Sequence, residues 1–476
     1  MQVKTIPSSW LYNSGLRLDC NPYMSGAFEA REILKSLSAR KDPLNTLTKG
    51  HAGGIYNGPI FRRNYVESPE FGVRFLTSSS MLLADLSHLP FLSKKDAHSS
   101  KLSYLEIKEG MTLISCSGTI GRMVYARPDM DGIWSCQDML KVVADPEKIP
   151  PGYLYAFLSS KFGIPQIVSG TYGAIIQHIE PHHIANLPIP RLGKEIERKI
   201  HALISQSASN LSLAQKLFTS ATQTLFSKIG LEDIGTGDWF SDLDHLGWRE
   251  NTISSESFRA FNFDPRVFKL IIQLKKGKNE PLGSLCQPRF FKGKTVFKRI
   301  DCLPEFGRLL VGQREAFRIR PEGRYISHKS IEGLGLCVPP SSVLIPSHGT
   351  LGESELYCRA VFVSRKTSVY AFSGDFFRCI PIFGKIGGGF LFSFLRSNTA
   401  FRILRSTSTG SKQQEEHPKL IWRIPIPRLH KSDENEIEEM ANAGSRAFDE
   451  ALEMEEKAWG VLEKEVEKAG EKTWGR

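Results

Sequence analysis

The chain runs to 476 residues and 53.4 kDa, beyond the roughly 250–300 residues that one hydrophobic core usually serves, so two or more domains are expected. Hydrophobic residues at 41% and charged residues at 24% exclude a disordered or fibrous chain, and a formal charge of +11 favours a polyanion as partner. No run approaches the roughly 18 apolar residues of a spanning helix, and no basic block leads into an apolar one at the N-terminus, so a cytoplasmic protein without membrane contact is expected.

Read in chain order, one series of motifs occurs twice. The first copy carries Phe61-Arg62-Arg63 and Pro69-Glu70-Phe71-Gly72; the second carries Phe297-Lys298-Arg299 and Pro304-Glu305-Phe306-Gly307. Short β-type runs follow, Thr112 to Ser115 and Ser342 to Ile345, and then Gly118-Thr119-Ile120-Gly121 is answered by Gly349-Thr350-Leu351-Gly352. The apolar run Gly152 to Leu158 matches Gly389 to Leu395, and Pro188-Ile189-Pro190-Arg191-Leu192 matches Pro425-Ile426-Pro427-Arg428-Leu429. The last two pairs, together with Asp138 and Asp375, share a separation of 237 residues. Five matches in one order are a tandem duplication, and a period this long means two domains instead of a solenoid.

After each Pro-Ile-Pro element the pattern turns helical. From Gly193 to Ile229 there is no proline, and Leu211, Ala214, Phe218, Ala221 and Leu225 step by threes and fours. From Ser432 to Ala469 the same seam passes through Ile437, Ala441, Gly444, Phe448, Ala451, Ala458 and Leu462, behind an acidic start at Asp433, Glu434 and Glu436. Each helix of about 37 residues would reach about 55 Å, longer than a compact domain needs. Pairing of the two would be antiparallel; the alternative is that each packs on its own domain. The expected fold is α+β, a tandem duplication of a mixed α/β domain, each followed by a long helix, with the helices forming an antiparallel coiled coil. The expected divisions are 1–192, a helix at 193–232, 233–429, and a helix at 430–476.

Catalytic constellations are sparse. Asn21-Pro22-Tyr23 lacks the second proline of the amino-methyltransferase signature, no Gly-rich loop follows a strand, and Asp264-Pro265-Arg266 occupies the matching place in the second copy. Asp129, Asp138 and Lys141 do not have the spacing of a nuclease pair, and Gly384-Lys385 with Gly387 inverts the order of a phosphate-cradling loop. His178, His182 and His183 lack Cys or paired carboxylate partners, and the eight cysteines form no CxxC pair, so no metal site is expected and the thiols read as reduced core residues. Basic and aromatic residues do interleave, from Tyr56 to Tyr65 and from Arg289 to Arg299 around Lys292, Lys294 and Lys298, a composition suited to phosphate contacts and guanine edges.

The order globule, helix, globule, helix resembles the specificity subunits of type I restriction–modification enzymes. Ser117-Gly118-Thr119-Ile120-Gly121-Arg122 is similar to the Ser-Gly-Thr-Ile-Gly element of their target recognition domains. Ser135-Cys136-Gln137-Asp138, Gly152 to Leu158, Gly173 to His178 with Leu187 to Pro190, and Arg17-Leu18-Asp19 are similar to further elements. The second copy departs at Ser347-His348-Gly349-Thr350 and at Gly410-Ser411-Lys412-Gln413. The resemblance implies a non-catalytic subunit that reads a bipartite target in double-stranded DNA. It also implies two docked methyltransferase subunits that bring S-adenosylmethionine, and two restriction subunits, where present, that use ATP and magnesium; this chain would hold no cofactor and no metal. The DNA-binding residues expected on this reading are Arg62, Arg63, Arg74, Ser79, Ser80, Arg122 and Tyr172 in the first copy, and Lys298, Arg299, Gln313, Arg314, Arg318, His348 and Lys412 in the second. Two other classes stay open: a self-contained methyltransferase or nuclease with fused recognition domains, and a non-catalytic coiled-coil scaffold.

Overall fold

A computed structural model describes the chain except residues 1–2, 14–19, 25, 170–177, 244–255, 288–292, 294 and 475–476. It divides into two compact units, Met1–Leu82 with Leu89–Ser212 and Glu450–Arg476, and Leu83–His88 with Leu213–Asp449. Among the described residues no helix is long and apolar enough to cross a membrane.

In the first unit, β1 (Lys41–Pro43) pairs antiparallel with β10 (Pro188–Pro190). One four-stranded sheet runs β2 (Ile55–Tyr56), β9 (Met139–Val142), β6 (Thr112–Ser115), β7 (Met123–Tyr125). The other runs β3 (Tyr65–Val66), β5 (Phe91–Ser93), β4 (Gly72–Leu76), β8 (Trp134–Ser135). All four residues of β6 and of β9 are buried, the polar Thr112, Ser115 and Lys141 among them.

The second unit repeats much of the plan, with three-stranded sheets where the first has four-stranded ones. β11 (Asn279–Pro281) pairs with β21 (Pro425–Pro427) as β1 does with β10. The parallel pair β4·β8, with Leu76 opposite Ser135, returns as β12 (Gly307–Val311) with β17 (Ala371–Phe372), where Val311 faces Phe372. The pair β6·β9 returns as β14 (Val343–Pro346) with β18 (Phe376–Cys379). A small sheet of β15 (His348–Gly349), β20 (Gln414–Glu416) and β19 (Ser408–Gly410) completes the unit. The duplication read from motifs is therefore a duplication of topology.

Lys194–Lys228 forms a central helix of 35 residues and Lys431–Trp474 a C-terminal helix of 44. In the first unit the Ser207 hydroxyl donates to the Ala451 carbonyl at 2.8 Å, and Ile200, Ile204, Ala458, Leu462 and Val466 share one buried cluster with Tyr153, Leu154 and Phe157. In the second unit Lys228 meets Asp433 at 2.8 Å, while Ala221, Leu225, Ile437 and Ala441 share a cluster with Phe390 and Phe394. Within each unit the partner numbers rise along one helix and fall along the other, so the segments run antiparallel. Of the seam residues, Ala214, Ala221, Leu225, Ile437, Ala441, Ala451, Ala458 and Leu462 are buried, whereas Leu211, Phe218 and Phe448 are only partly so.

The duplicated glycine of the apolar helices explains how closely these helices cross. Gly152 lies against His201 and Ile204 of the central helix, and Gly389, in the helix Gly388–Leu395, lies against Glu438 and Ala441 of the C-terminal helix. A Cβ on Gly389 would come within 2.9 Å of both the Ala441 Cβ and the Glu438 carbonyl. Gly389→Val is accordingly expected to cost about 1–3 kcal/mol through overpacking; urea unfolding checks this, and an unchanged midpoint would contradict the close crossing.

Candidate nucleic-acid interface

In the first unit several expected residues collect where β4, β6 and β9 end or begin. The Cys116 N–H donates to the Asp138 carbonyl at 3.1 Å and the Cys136 N–H to the Leu76 carbonyl at 2.9 Å, each extending the ladder of its own sheet, so that residues 136–138 form the seam where the chain passes from one sheet to the other. Arg63 reaches onto this seam, donating to Gln137 Oε1 at 3.1 Å and standing 3.5 Å from Asp138 Oδ2, with its guanidinium 5.6 Å from the Phe75 ring. Arg62 beside it is exposed.

The turn after β4 is shaped by its own hydroxyls. The Thr77 N–H donates to Ser80 Oγ at 2.8 Å, and Thr77 Oγ1 stands 3.2 Å from Ser79 Oγ and 2.9 Å from Ser80 Oγ. Residues Ser80–Leu82 pack beside β7, which brings the turn close to Arg122 and Met123. Arg74 is exposed within β4, opposite Phe91 of β5.

The Ser117 to Arg122 element is a tight loop. Ser115 Oγ donates to the Thr119 carbonyl at 2.6 Å and accepts the Arg122 N–H at 3.0 Å, while Gly118 and Gly121 adopt φ of 73° and 84°. Ser117 bridges to His178, whose Nε2 lies 2.8 Å from Glu180 Oε1, and Asn57 donates to the other Glu180 oxygen at 3.1 Å. His183 Nδ1 accepts the Glu180 N–H at 2.9 Å, so this histidine caps a turn. Tyr172, Gly173 to Gln177 and Arg17-Leu18-Asp19 lie outside the described residues.

The second unit builds the same rim from other side chains. The Ser347 N–H donates to the Asp375 carbonyl at 2.9 Å, the counterpart of Cys116 with Asp138, and Gln313 Nε2 donates to that same carbonyl at 2.6 Å. His348 pairs with Glu415 in the strand register, as Ser117 does with His178. Its Nδ1 lies 2.9 Å from Ser347 Oγ and its Nε2 3.6 Å from Glu415 Oε1. Lys412 is exposed at the tip between β19 and β20, and Arg314 is exposed in the turn after β12. Phe297 packs against the cluster of Ile326 and Leu336, leaving Lys298 and Arg299 exposed; the Arg299 guanidinium lies 5.4 Å from the Phe297 ring. Arg318 is buried, with its guanidinium 2.7 Å from Glu315 and 3.6 Å from Glu322, so it holds the turn together and does not face solvent. Lys292, Lys294 and Arg289 lie outside the described residues.

The triad weighed for nuclease chemistry is dispersed. Asp129 accepts from Ser212 at 2.6 Å and pairs with Arg127 at 2.8 Å, Asp138 faces Arg63, and Lys141 is fully buried with its ammonium on the Met139 carbonyl at 3.1 Å. Burial pushes the Cys116 thiol up to about 12, leaving it unreactive at neutral pH. Of the eight cysteines, five are buried and only Cys20 and Cys337 are exposed. No group of three or more His, Cys, Asp or Glu among the described residues is placed to hold a metal.

Asn57, Glu180 and Glu415 also belong to the rim, although no motif in the sequence marks them. The separation of 237 residues that links Asp138 to Asp375 also links His178 to Glu415, so the repeat itself points to that last position.

No protein-family model and no curated protein matches the chain. Among solved structures it is similar to the type I restriction–modification S subunit from M. genitalium, at 15% identity over 92% of this chain and 96% of that one, with a TM-score of 0.32. It is also similar to the HsdS subunit from Thermoanaerobacter tengcongensis, at 12% identity over 90% and 96% of the two chains and a TM-score of 0.26. A third similar chain comes from work on complex assembly and conformational transition of the type I R-M system, at 13% identity over 90% and 97% and a TM-score of 0.26.

Proposed function

We propose that this chain is the sequence-reading, non-catalytic subunit of a type I restriction–modification complex. The globules at 1–192 and 233–429 would each read one half of a split target in double-stranded DNA. The observation that carries the reading is the pair of equivalent rims: one backbone frame, anchored at the Asp138 and Asp375 carbonyls, presents Arg63, Ser79, Ser80 and Arg122 in one copy and Gln313, His348 and Lys412 in the other. A shared frame with divergent polar side chains suits two different half-sites, since a few groups at base edges specify while Lys and Arg on phosphate set the register.

On this reading the long helices at 193–232 and 430–476 dock two methyltransferase subunits, which supply S-adenosylmethionine and the methylating site. Two restriction subunits using ATP and magnesium would join where the system cleaves DNA, and the complex would work in the cytoplasm. This chain's own residues bind and orient the duplex.

Competition between a specific duplex and random duplex tests the proposal, because non-specific affinity weakens with salt in the same way for every sequence. Arg122→Ala is expected to lower discrimination at one half-site by about tenfold, the lower end of what a base contact contributes, and to leave the other half-site unchanged. Equal loss at both half-sites, or no preference for any duplex, would overturn the reading.

A further inference from the structure

The second unit contains a cavity of about 110 Å³ lined by Trp239, Asp264, Arg266, Glu353, Arg402 and Arg405 among others. Its charge is unbalanced. Arg266 pairs with Asp264 at 2.8 Å and Arg402 takes both oxygens of Glu353 at 2.5 and 2.7 Å, which accounts for both lining carboxylates. Arg405 spends its terminal nitrogens on the carbonyls of Leu351 and Gly352 and stands 3.9 Å from the Glu353 carboxylate already engaged by Arg402. Behind it, across the Phe401 ring, lies a fourth buried guanidinium, that of Arg359, 3.3 Å from the ring centroid.

The fold does not require this cluster. At the separation of 237 residues, the first copy has Ile164, Pro165 and Val168 where the second has Phe401, Arg402 and Arg405. Val168 lies against Gly121, the same neighbour relation that Arg405 has with Gly352. An apolar filling is therefore available to this framework, and burying guanidiniums instead carries a desolvation cost that the apolar copy avoids. Arg402 and Arg405 are each 5% exposed, and the Nε of each is buried without a hydrogen-bond partner. Burial and the crowding of Arg405 and Arg402 push Arg359 down to about 9.

We propose that this cavity binds a small tetrahedral oxyanion of the phosphate class, free or as a phosphomonoester, held by Arg405 and Arg402 with Arg266 closing the site. Its volume admits one such group, and the Nε groups of Arg402 and Arg405 are charged N–H donors that no protein acceptor takes, of the kind that bonds phosphate oxygens strongly. The anion competes with Glu353 for Arg402, so affinity depends on that carboxylate as well as on the arginines.

Calorimetric titration of the full chain with sodium phosphate, against sodium chloride of equal ionic strength, tests the site. One phosphate per chain is expected to bind, Arg405→Met to weaken binding by at least tenfold, and Glu353→Gln to tighten it several-fold by removing the competitor. Should Arg405→Met fail to fold, Glu353→Gln still decides, because a purely structural role for Glu353 predicts no gain in affinity. A parallel titration with adenosine monophosphate separates the sources: tighter binding than phosphate assigns a phosphomonoester, weaker or equal binding assigns the free ion. Absence of any phosphate heat in the wild type, or a folded Arg405→Met chain with unchanged affinity, would overturn the proposal.

Discussion

Replacing Arg428 by Met is expected to lower the stability of the second unit by about 3–4 kcal/mol, the range for leaving one partner of a buried ion pair alone. Arg428 donates from Nε to Glu434 Oε1 at 2.7 Å and from Nη2 to Glu434 Oε2 at 3.0 Å, reaches Glu280 of β11 through Nη1, and donates to the Lys385 carbonyl at 2.9 Å. One side chain thus ties a strand pair, a turn and the first turn of the C-terminal helix. Glu434 is only 3% exposed, so removing the arginine leaves a buried carboxylate with little besides the Leu429 N–H, 3.2 Å away. The first copy has the same clamp: Arg191 holds Glu197 at 2.8 Å, Asp42 at 3.2 Å and the Lys148 carbonyl at 2.9 Å. Urea unfolding of Arg428→Met and of the double variant Arg428→Met/Glu434→Met provides the check. The double variant is expected to lose less than the single one, since the stranded charge is gone with its partner. A double variant that loses as much would show that the clamp acts through shape alone.

The second large effect has the opposite sign. Lys141→Met is expected to stabilise the first unit by about 2 kcal/mol at pH 7. Lys141 is fully buried in β9 with one hydrogen bond to the Met139 carbonyl, and no carboxylate reaches it among the described residues. Burial pushes its ammonium from the usual 10.5 down to about 8. The unfolded chain therefore binds more protons between about pH 8 and 10.5, so stability rises with pH across that window and the full penalty of about 3 kcal/mol applies below it. The lost hydrogen bond returns about 1 kcal/mol of that to the debit side.

Unfolding midpoints at pH 7 and pH 10 should converge between wild type and Lys141→Met; a constant gap would contradict the titration. At the same place in the second copy, Arg378 donates to the carbonyls of Phe372 and Ser373 at 2.7 Å each and of Phe376 at 2.9 Å. Arg378→Met orphans all three and is expected to destabilise. Two equivalent buried cations thus give opposite results because one satisfies its surroundings and the other does not.

Much of the architecture was legible because it repeats. The motif pairs located both copies, and the heptad seam marked Ala221 and Leu225, which are buried in one cluster with Ile437 and Ala441, and Phe218, which packs against that cluster. The first half of the central helix was less legible: Ile200 and Ile204 pack on the globule as well as on Ala458 and Leu462, so their spacing reports two neighbours at once. Pro-Ile-Pro-Arg was visible as a repeat, but its role as a clamp was not. Its partners Asp42, Lys148 and Glu197 come from three separate stretches of chain.

Charged residues were the hardest to place, since a lone Lys or Arg in sequence reads as a solvated surface group. Arg318, expected at the DNA face, is buried on Glu315, and the helix Asn398–Ser406 has nearly every residue buried despite its two arginines. Only the fold decides whether a guanidinium faces water or carbonyls.

Selection of duplexes from a randomised pool, by the chain alone and with the methyltransferase subunits proposed for it, distinguishes sequence reading from plain charge attraction. Two short specified blocks separated by an unspecified spacer of fixed length are expected, with Arg122→Ala relaxing one block and leaving the other intact. A single contiguous block, or a pool that stays unenriched, would contradict the proposed bipartite reading.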